Sequence, residues 1–208
     1  MNFLKIKLLV IALIVFAASS AFADFNGTVS INTSSLSSPT GYLYLQYSNG
    51  GTPGYSTATV SSFFTDGVLG AQDTVDIVNG SAVSGTLPGS VLFANLNPVN
   101  DYNQAITFGS TITFLLSLSG PLPGGTAGST STFSIGLFAD GPGTIPLINT
   151  TGPYAGTAFT VDQYSNGTAA TTVMASGVEV TPTPIPAAAW LLGSGLFGLV
   201  GLRKRVKR

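Results

Sequence analysis

Between Asp24 and Leu202 there is no lysine, arginine or histidine, and the 208-residue chain has no cysteine at all. The seven basic residues lie outside that stretch, at Lys5, Lys7, Arg203, Lys204, Arg205, Lys207 and Arg208. The eight acids all lie inside it: Asp24, Asp66, Asp73, Asp76, Asp101, Asp140, Asp162 and Glu179. No ion pair can form between side chains of such a body, and no disulfide can close it. Its fold has to rest on apolar burial and on the backbone hydrogen-bond ladder.

The same feature removes classes of function. With nothing in the body to neutralise phosphates, nucleic-acid binding is not expected. Without His or Cys there is no Ser-His-Asp or Cys-His arrangement and no imidazole or thiolate metal centre. Without Lys there is no Schiff base and no phosphate loop, and the glycines follow no GxGxxG pattern. Paired carboxylates, as in glycoside hydrolysis, are the catalytic equipment that remains. Asp73 and Asp76 are close in sequence, but scattered acids on an acidic surface are ordinarily solvated, so no enzyme is expected.

From Asp24 to Val180 is about 157 residues, enough for one domain with a substantial core. Short β-branched and aromatic runs alternate there with Gly, Ser, Thr and Asn, which predicts an all-β domain with frequent turns. The expected strands are 28–33, 41–48, 57–65, 90–96, 105–108, 111–118, 132–139, 145–148, 158–163 and 168–180. A hairpin of 74–78 and 81–85 is expected around Asn79-Gly80. Thr111 to Leu118, with Phe114, Leu115 and Leu116 in succession, is the most apolar and is expected in the centre of a sheet. About eleven strands at this spacing suggest an antiparallel β-sandwich of jelly-roll-like form.

Residues 1–23 read as a secretory signal peptide, a short apolar helix for signal peptidase and the Sec translocon. Lys5 and Lys7 precede the apolar run Leu8 to Ala18, and Ala21-Phe22-Ala23 gives the cleavage pattern, with Asp24 as the new N-terminus. Residues 181–208 read as a second address: Pro182, Pro184 and Pro186, then the uncharged run Ala187 to Leu202, then the basic cluster. As a transmembrane helix 187–202 would span roughly 24 Å, short of the ~30 Å hydrocarbon core. Gly193, Gly195, Gly198 and Gly201 would let another helix approach it closely. The basic end would stay in the cytoplasm.

The segment Pro184-Ile185-Pro186, the run AAAWLLGSGLFGLVGL containing Trp190, and the basic terminus closely resemble the PEP-CTERM sorting signal of Gram-negative bacteria. That resemblance implies an exosortase-like membrane protease as a partner and export to the cell surface from an inner-membrane precursor. Ile185 replaces the eponymous Glu of the motif. Three stretches of the body, Ser84-Gly85-Thr86-Leu87-Pro88-Gly89, FGSTITFLLSLSGP from Phe108 and FSIGLFADGPGTIPL from Phe133, resemble an uncharacterised family of short exported PEP-CTERM proteins, which implies no activity.

Two ligand readings accompany this one. Asp66, Asp73 and Asp76 cluster in sequence and offer hard oxygen donors to calcium, although their spacing is not that of an EF-hand. Tyr42 and Tyr44 share a strand face and could stack on sugars, though aromatics of this kind are ordinary sheet residues. The expectation is a non-enzymatic component of the cell surface or extracellular matrix, with exopolysaccharide as a further partner. The alternatives are a carbohydrate- or calcium-binding adhesive module and a membrane-retained periplasmic protein with an unprocessed tail.

Overall fold

A computed structural model of the chain describes residues 25–36, 38–51, 54–74, 82–120, 128 and 130–183. The expected signal peptide and the second address from Pro184 onward therefore lie outside the described residues, as do Asp24, Asp76 and the Asn79-Gly80 turn. The strands in chain order are β1 (Phe25–Asn32), β2 (Thr40–Gly50), β3 (Thr57–Thr65), β4 (Val68–Asp73), β5 (Val83–Gly85) and β6 (Val91–Ala94). They continue as β7 (Val99–Thr107), β8 (Thr111–Ser119), β9 (Thr130–Phe138), β10 (Thr157–Tyr164), β11 (Ala169–Val173) and β12 (Val178–Pro182).

Two antiparallel sheets pack face to face. The first runs β12-β1-β8-β3-β6-β5 and the second β11-β10-β9-β2-β7-β4. Among these pairs β1 with β8, β2 with β7 and β3 with β6 are nested, as in a long hairpin folded over on itself. The period of two in the sequence supplies the interior. Ile112, Phe114, Leu116 and Leu118 of β8 point inward, and Leu115 between them points out. Leu43, Leu45 and Tyr47 of β2 answer from the second sheet, with Phe133, Ile135 and Leu137 of β9. Aromatic pairs bridge the sheets: Phe93 meets Phe133 edge-on at 6.0 Å, and Phe114 stacks near Phe159 at 6.5 Å.

β8 is an interior strand, as its apolar run predicts. Other expectations need correction. Thr168 to Val180 is two strands, because the chain turns at Gly177 (φ 76°) and crosses from the second sheet to the first. Residues 145–148 make one bridge, Phe138 to Pro146, where the proline has no N–H to extend a ladder. β5 pairs with β6, in the other sheet from β4, so the chain changes sheets between Asp73 and Val83. β4 itself, Val-Leu-Gly-Ala-Gln-Asp, has little intrinsic strand character and forms by pairing with the free side of β7.

The fold also extends past Val180. Thr181 and Pro182 pair with Thr28 and Gly27, and the Thr183 N–H donates to Asn26 O at 2.8 Å. Because N–H groups alternate along a strand, the Pro182 nitrogen faces outward from the sheet edge, where a missing donor costs nothing. The two ends of the described body thus lie side by side.

Candidate functional site

The outer face of the second sheet gathers most of the chemistry-bearing residues. Register places Tyr44 opposite Asn103 and Gln46 opposite Asp101, while Asp73 of β4 stands opposite Asn103 from the other side. Asp101 is 1% exposed and accepts from Gln46 Nε2 at 3.0 Å. Asn103 is fully buried; its Nδ2 donates to Gly141 O at 2.5 Å, and its Oδ1 has no hydrogen-bond partner. The cover comes from the turn after β9. A Cβ on Gly143 would meet the rings of Tyr44 and Phe138 at 3.6 and 3.7 Å, so this turn lies directly over them.

Tyr42 and Tyr44 do share this face, but they do not form an open platform. The Tyr44 ring stands edge-on to Phe138 at 6.0 Å beneath the turn. Phe138 lies across Gly136 and Gly156, where any Cβ would collide with its ring. Tyr42 alone lines a shallow groove with Leu69, Gly70 and Ala105.

Asp66 and Asp73 are held apart by the full length of β4, roughly 17 Å at ~3.4 Å per residue, so one ion cannot bind both. Asp66 instead clasps two turns. Its carboxylate accepts from Ser110 N at 2.9 Å, Ser110 Oγ at 2.5 Å and Thr111 N at 2.9 Å. The Ser110 hydroxyl first, then the Thr111 and Ser110 N–H groups, hold this exposed carboxyl down at about 2. Gly109 is required beside it, since a Cβ there would sit 2.3 Å from Asp66 Oδ1. Asp140 repeats the device on Thr144 and Ile145. Burial works to raise its carboxyl, but the Thr144 and backbone hydrogen bonds outweigh that and leave it below the usual value. Carboxylates already surrounded by donors are loop clasps rather than cation ligands.

A second feature of the same sheet was not legible in the sequence. Thr132, Thr160, Asp162, Thr172 and Met174, with Asn149 and Tyr154 of the preceding loop, line an open groove of about 480 Å³. Tyr154 is 55% exposed, and Thr132 Oγ1 donates to Asp162 at 2.6 Å. Asn149, held at φ 45°, donates from Nδ2 to Tyr154 O and fixes the loop. Tyr154 directly follows the run Thr151-Gly152-Pro153, which reads only as a turn.

At one end of the sandwich, neutral groups do what charges cannot. Tyr47 OH donates to Gln163 Oε1 at 2.9 Å and lies 2.7 Å from Ser56 Oγ. Asn95 accepts from Ser56 N and donates to Ser131 Oγ, and Gln163 Nε2 donates to Gly120 O. Burial raises the Tyr47 phenol above its usual value, against smaller lowering by Ser56 and Ser131. The network ties β2, β9 and β10 to the start of β3 and the end of β8, and its groups satisfy one another, which marks it as structural.

Among the described residues no three acidic side chains converge. Compared with known proteins, the chain matches no family model, no curated protein and no solved structure.

Proposed function

We propose that this chain is an exported, non-enzymatic protein whose β-sandwich is delivered by its C-terminal sorting segment to the cell surface or extracellular matrix. The observation that supports it most is the pairing of β12 with β1. The sandwich closes at Thr183, one residue before Pro184-Ile185-Pro186, and Asn26 lies beside it. Signal peptidase and an exosortase-like protease would therefore both act at one pole of the body, on chain outside the ladder. The nested pairs β1·β8, β2·β7 and β3·β6 support a jelly-roll wrapping, with β9 to β12 added at the sheet edges. Before the second cut the side chains of the mature precursor sum to −3 (−8 plus 5), and afterwards to −8. Mass spectrometry of the protein from the outer surface and medium should find termini near Asp24 and near Pro184. An intact Arg208 in that material, or recovery only from the inner membrane, would favour the membrane-retained alternative.

One observation favours a carbohydrate-binding role for the delivered body. Tyr154 presents an exposed ring beside Asp162, Asn149 and three threonine hydroxyls, an aromatic face next to acceptors and donors suited to a sugar ring. Tyr154→Ala is expected to weaken retention on the producer's own exopolysaccharide roughly 10-fold while leaving the melting temperature within about 2 °C, since the side chain is surface-exposed. Tyr44→Ala, which empties a packed position, is expected to lower stability instead. Unchanged retention of Tyr154→Ala in affinity electrophoresis would remove this reading.

A further inference from the structure

The body carries eight carboxylates and no cationic side chain between Asp24 and Leu202, so a positive charge that meets one of them has to be brought by a partner. Asp66 and Asp140 are already ringed by hydrogen-bond donors. Asp162 is placed differently. On β10 it stands between Thr132 of β9 and Ala170 of β11. Thr132 Oγ1 donates to its Oδ1 at 2.6 Å, whereas Ala170 has only a methyl group to offer. Among the described residues no donor reaches Oδ2.

The surroundings of Asp162 add an aromatic ring and hydroxyls to this carboxylate. Thr160 lies two residues before it on the same face of β10, and Thr172 stands opposite Thr160 on β11. The exposed Tyr154 ring shares the groove with them, on a loop that the Asn149 side chain ties down. A carboxylate and an exposed ring lining one groove both favour a cation, the first through a charge-assisted hydrogen bond and the second through the negative face of its π-system. An anion meets the opposite. No cationic side chain of the body could neutralise it, and the summed side-chain charge of −8 repels it.

We propose that this groove binds glycans carrying free amino groups, the hexosamine class, and discriminates against their N-acetylated forms and against uronic-acid polymers. The inference rests on the carbohydrate reading of the Tyr154 groove and adds the charge of the ligand to it. The ammonium takes Asp162 as its counter-ion, a sugar ring stacks on Tyr154, and the threonine hydroxyls meet hydroxyls of the sugar. Acetylation removes the ligand's charge and leaves Asp162 facing a neutral amide. A uronic acid sets carboxylate against carboxylate.

The test uses the full chain in detergent with EDTA, so that no divalent cation can bridge an acidic glycan to Asp162. Calorimetry at low salt and about pH 6, where amines are protonated, compares the tetrasaccharides of glucosamine, N-acetylglucosamine and galacturonic acid. The glucosamine probe is expected to bind roughly 10-fold more tightly than its acetylated counterpart, and the galacturonate probe to give no heat that depends on Tyr154. Asp162→Asn, which keeps an oxygen for Thr132 Oγ1, should bring the two hexosamines within about 2-fold of each other. Asp66→Asn removes the same charge beside β4, at the other edge of the sheet, and should leave the preference intact. Ala170→Lys, at an exposed edge position, supplies the missing cation and should abolish the preference, which decides the matter if Asp162→Asn does not fold. Retention on the producer's exopolysaccharide should fall likewise once its amines are N-acetylated. No heat with glucosamine, equal binding of both hexosamines, a Tyr154-dependent preference for galacturonate, or an Asp66→Asn effect as large as that of Asp162→Asn would overturn the amine inference. In each of these cases the carbohydrate reading survives if Tyr154→Ala still weakens retention on the exopolysaccharide, and falls with the inference if it does not.

Discussion

A chain ending at Thr183 is expected to melt at the same temperature as the chain with its tail, whereas one ending at Gly177 is expected to lose most of its stability. The difference is β12, which forms the pairs from Gly27 with Pro182 to Ile31 with Val178. Val178 belongs to the core and Val180 packs against it. Burying one valine fully and one partly stabilises the fold by about 3–5 kcal/mol, out of a typical domain total of about 5–15 kcal/mol. Its removal would also leave β1 as a raw edge, open to pairing with other chains. Thermal unfolding by circular dichroism, with light scattering on the shorter chain, would check both effects. If the two truncations melted within about 2 °C of each other, β12 would be an ornament and the body would end elsewhere. The result also bounds the processing site, because a protease can cut from Pro184 onward without touching the ladder, but not before Val178.

The sheets were legible where alternation was clean. β3 has the very bounds that its pattern predicts, Thr57–Thr65, and β2, β8, β9 and β10 differ from expectation only at their ends. Legibility failed where polar residues fill a strand. β7 begins at Val99, but Asn100, Asp101 and Asn103 have the composition of a loop. They are accommodated because β7 is covered on both faces and side-chain partners are at hand: Asn100 Nδ2 donates to Tyr47 O, and Tyr102 OH donates to Gln104 Oε1. β4 failed for the opposite reason, since its strand character is borrowed from β7.

Those two omissions also misplaced the candidate site. With 66–73 unassigned, Asp66 and Asp73 looked like neighbours, and they turn out to be separated by a strand, Asp66 in the turn before β4 and Asp73 at its far end. With 99–104 unassigned, Asp101 and Asn103 could not be placed on one face, nor Asn103 opposite Asp73. The pairing of Tyr42 with Tyr44 on one face was legible from the period of two. The turn that covers Tyr44 was not, because long-range contact between Gly143 and β2 leaves no local signal. The sorting segment from Pro184 onward and the signal peptide rest on sequence alone, outside the described residues.

Acid should empty this protein from solution, and the reason is its missing cations. An ordinary domain becomes strongly positive below pH 4 and stays dispersed while it unfolds. Here eight carboxylates carry all the side-chain charge of the released body, so protonating them leaves it nearly neutral. Stability falls in the same window. The Asp66 carboxyl sits at about 2 in the fold against an ordinary 3.8, so the unfolded chain takes up the proton first. The stabilisation from this clasp is complete above about pH 4 and is lost as pH falls toward 2, and Asp140, also lowered, acts in the same direction. With no histidine, no side-chain type present in the body has an ordinary pKa between those of the carboxylates and the phenols, so melting temperature should be flat from about pH 6 to 9. Turbidity and melting temperature followed from pH 7 to 2 should show precipitation near pH 3 together with a falling melting temperature. Asp66→Asn separates the two causes: it should flatten the acid decline in melting temperature and leave precipitation in place. A body that stays monomeric and clear at pH 3 at high protein concentration would mean that charge is not what keeps it apart.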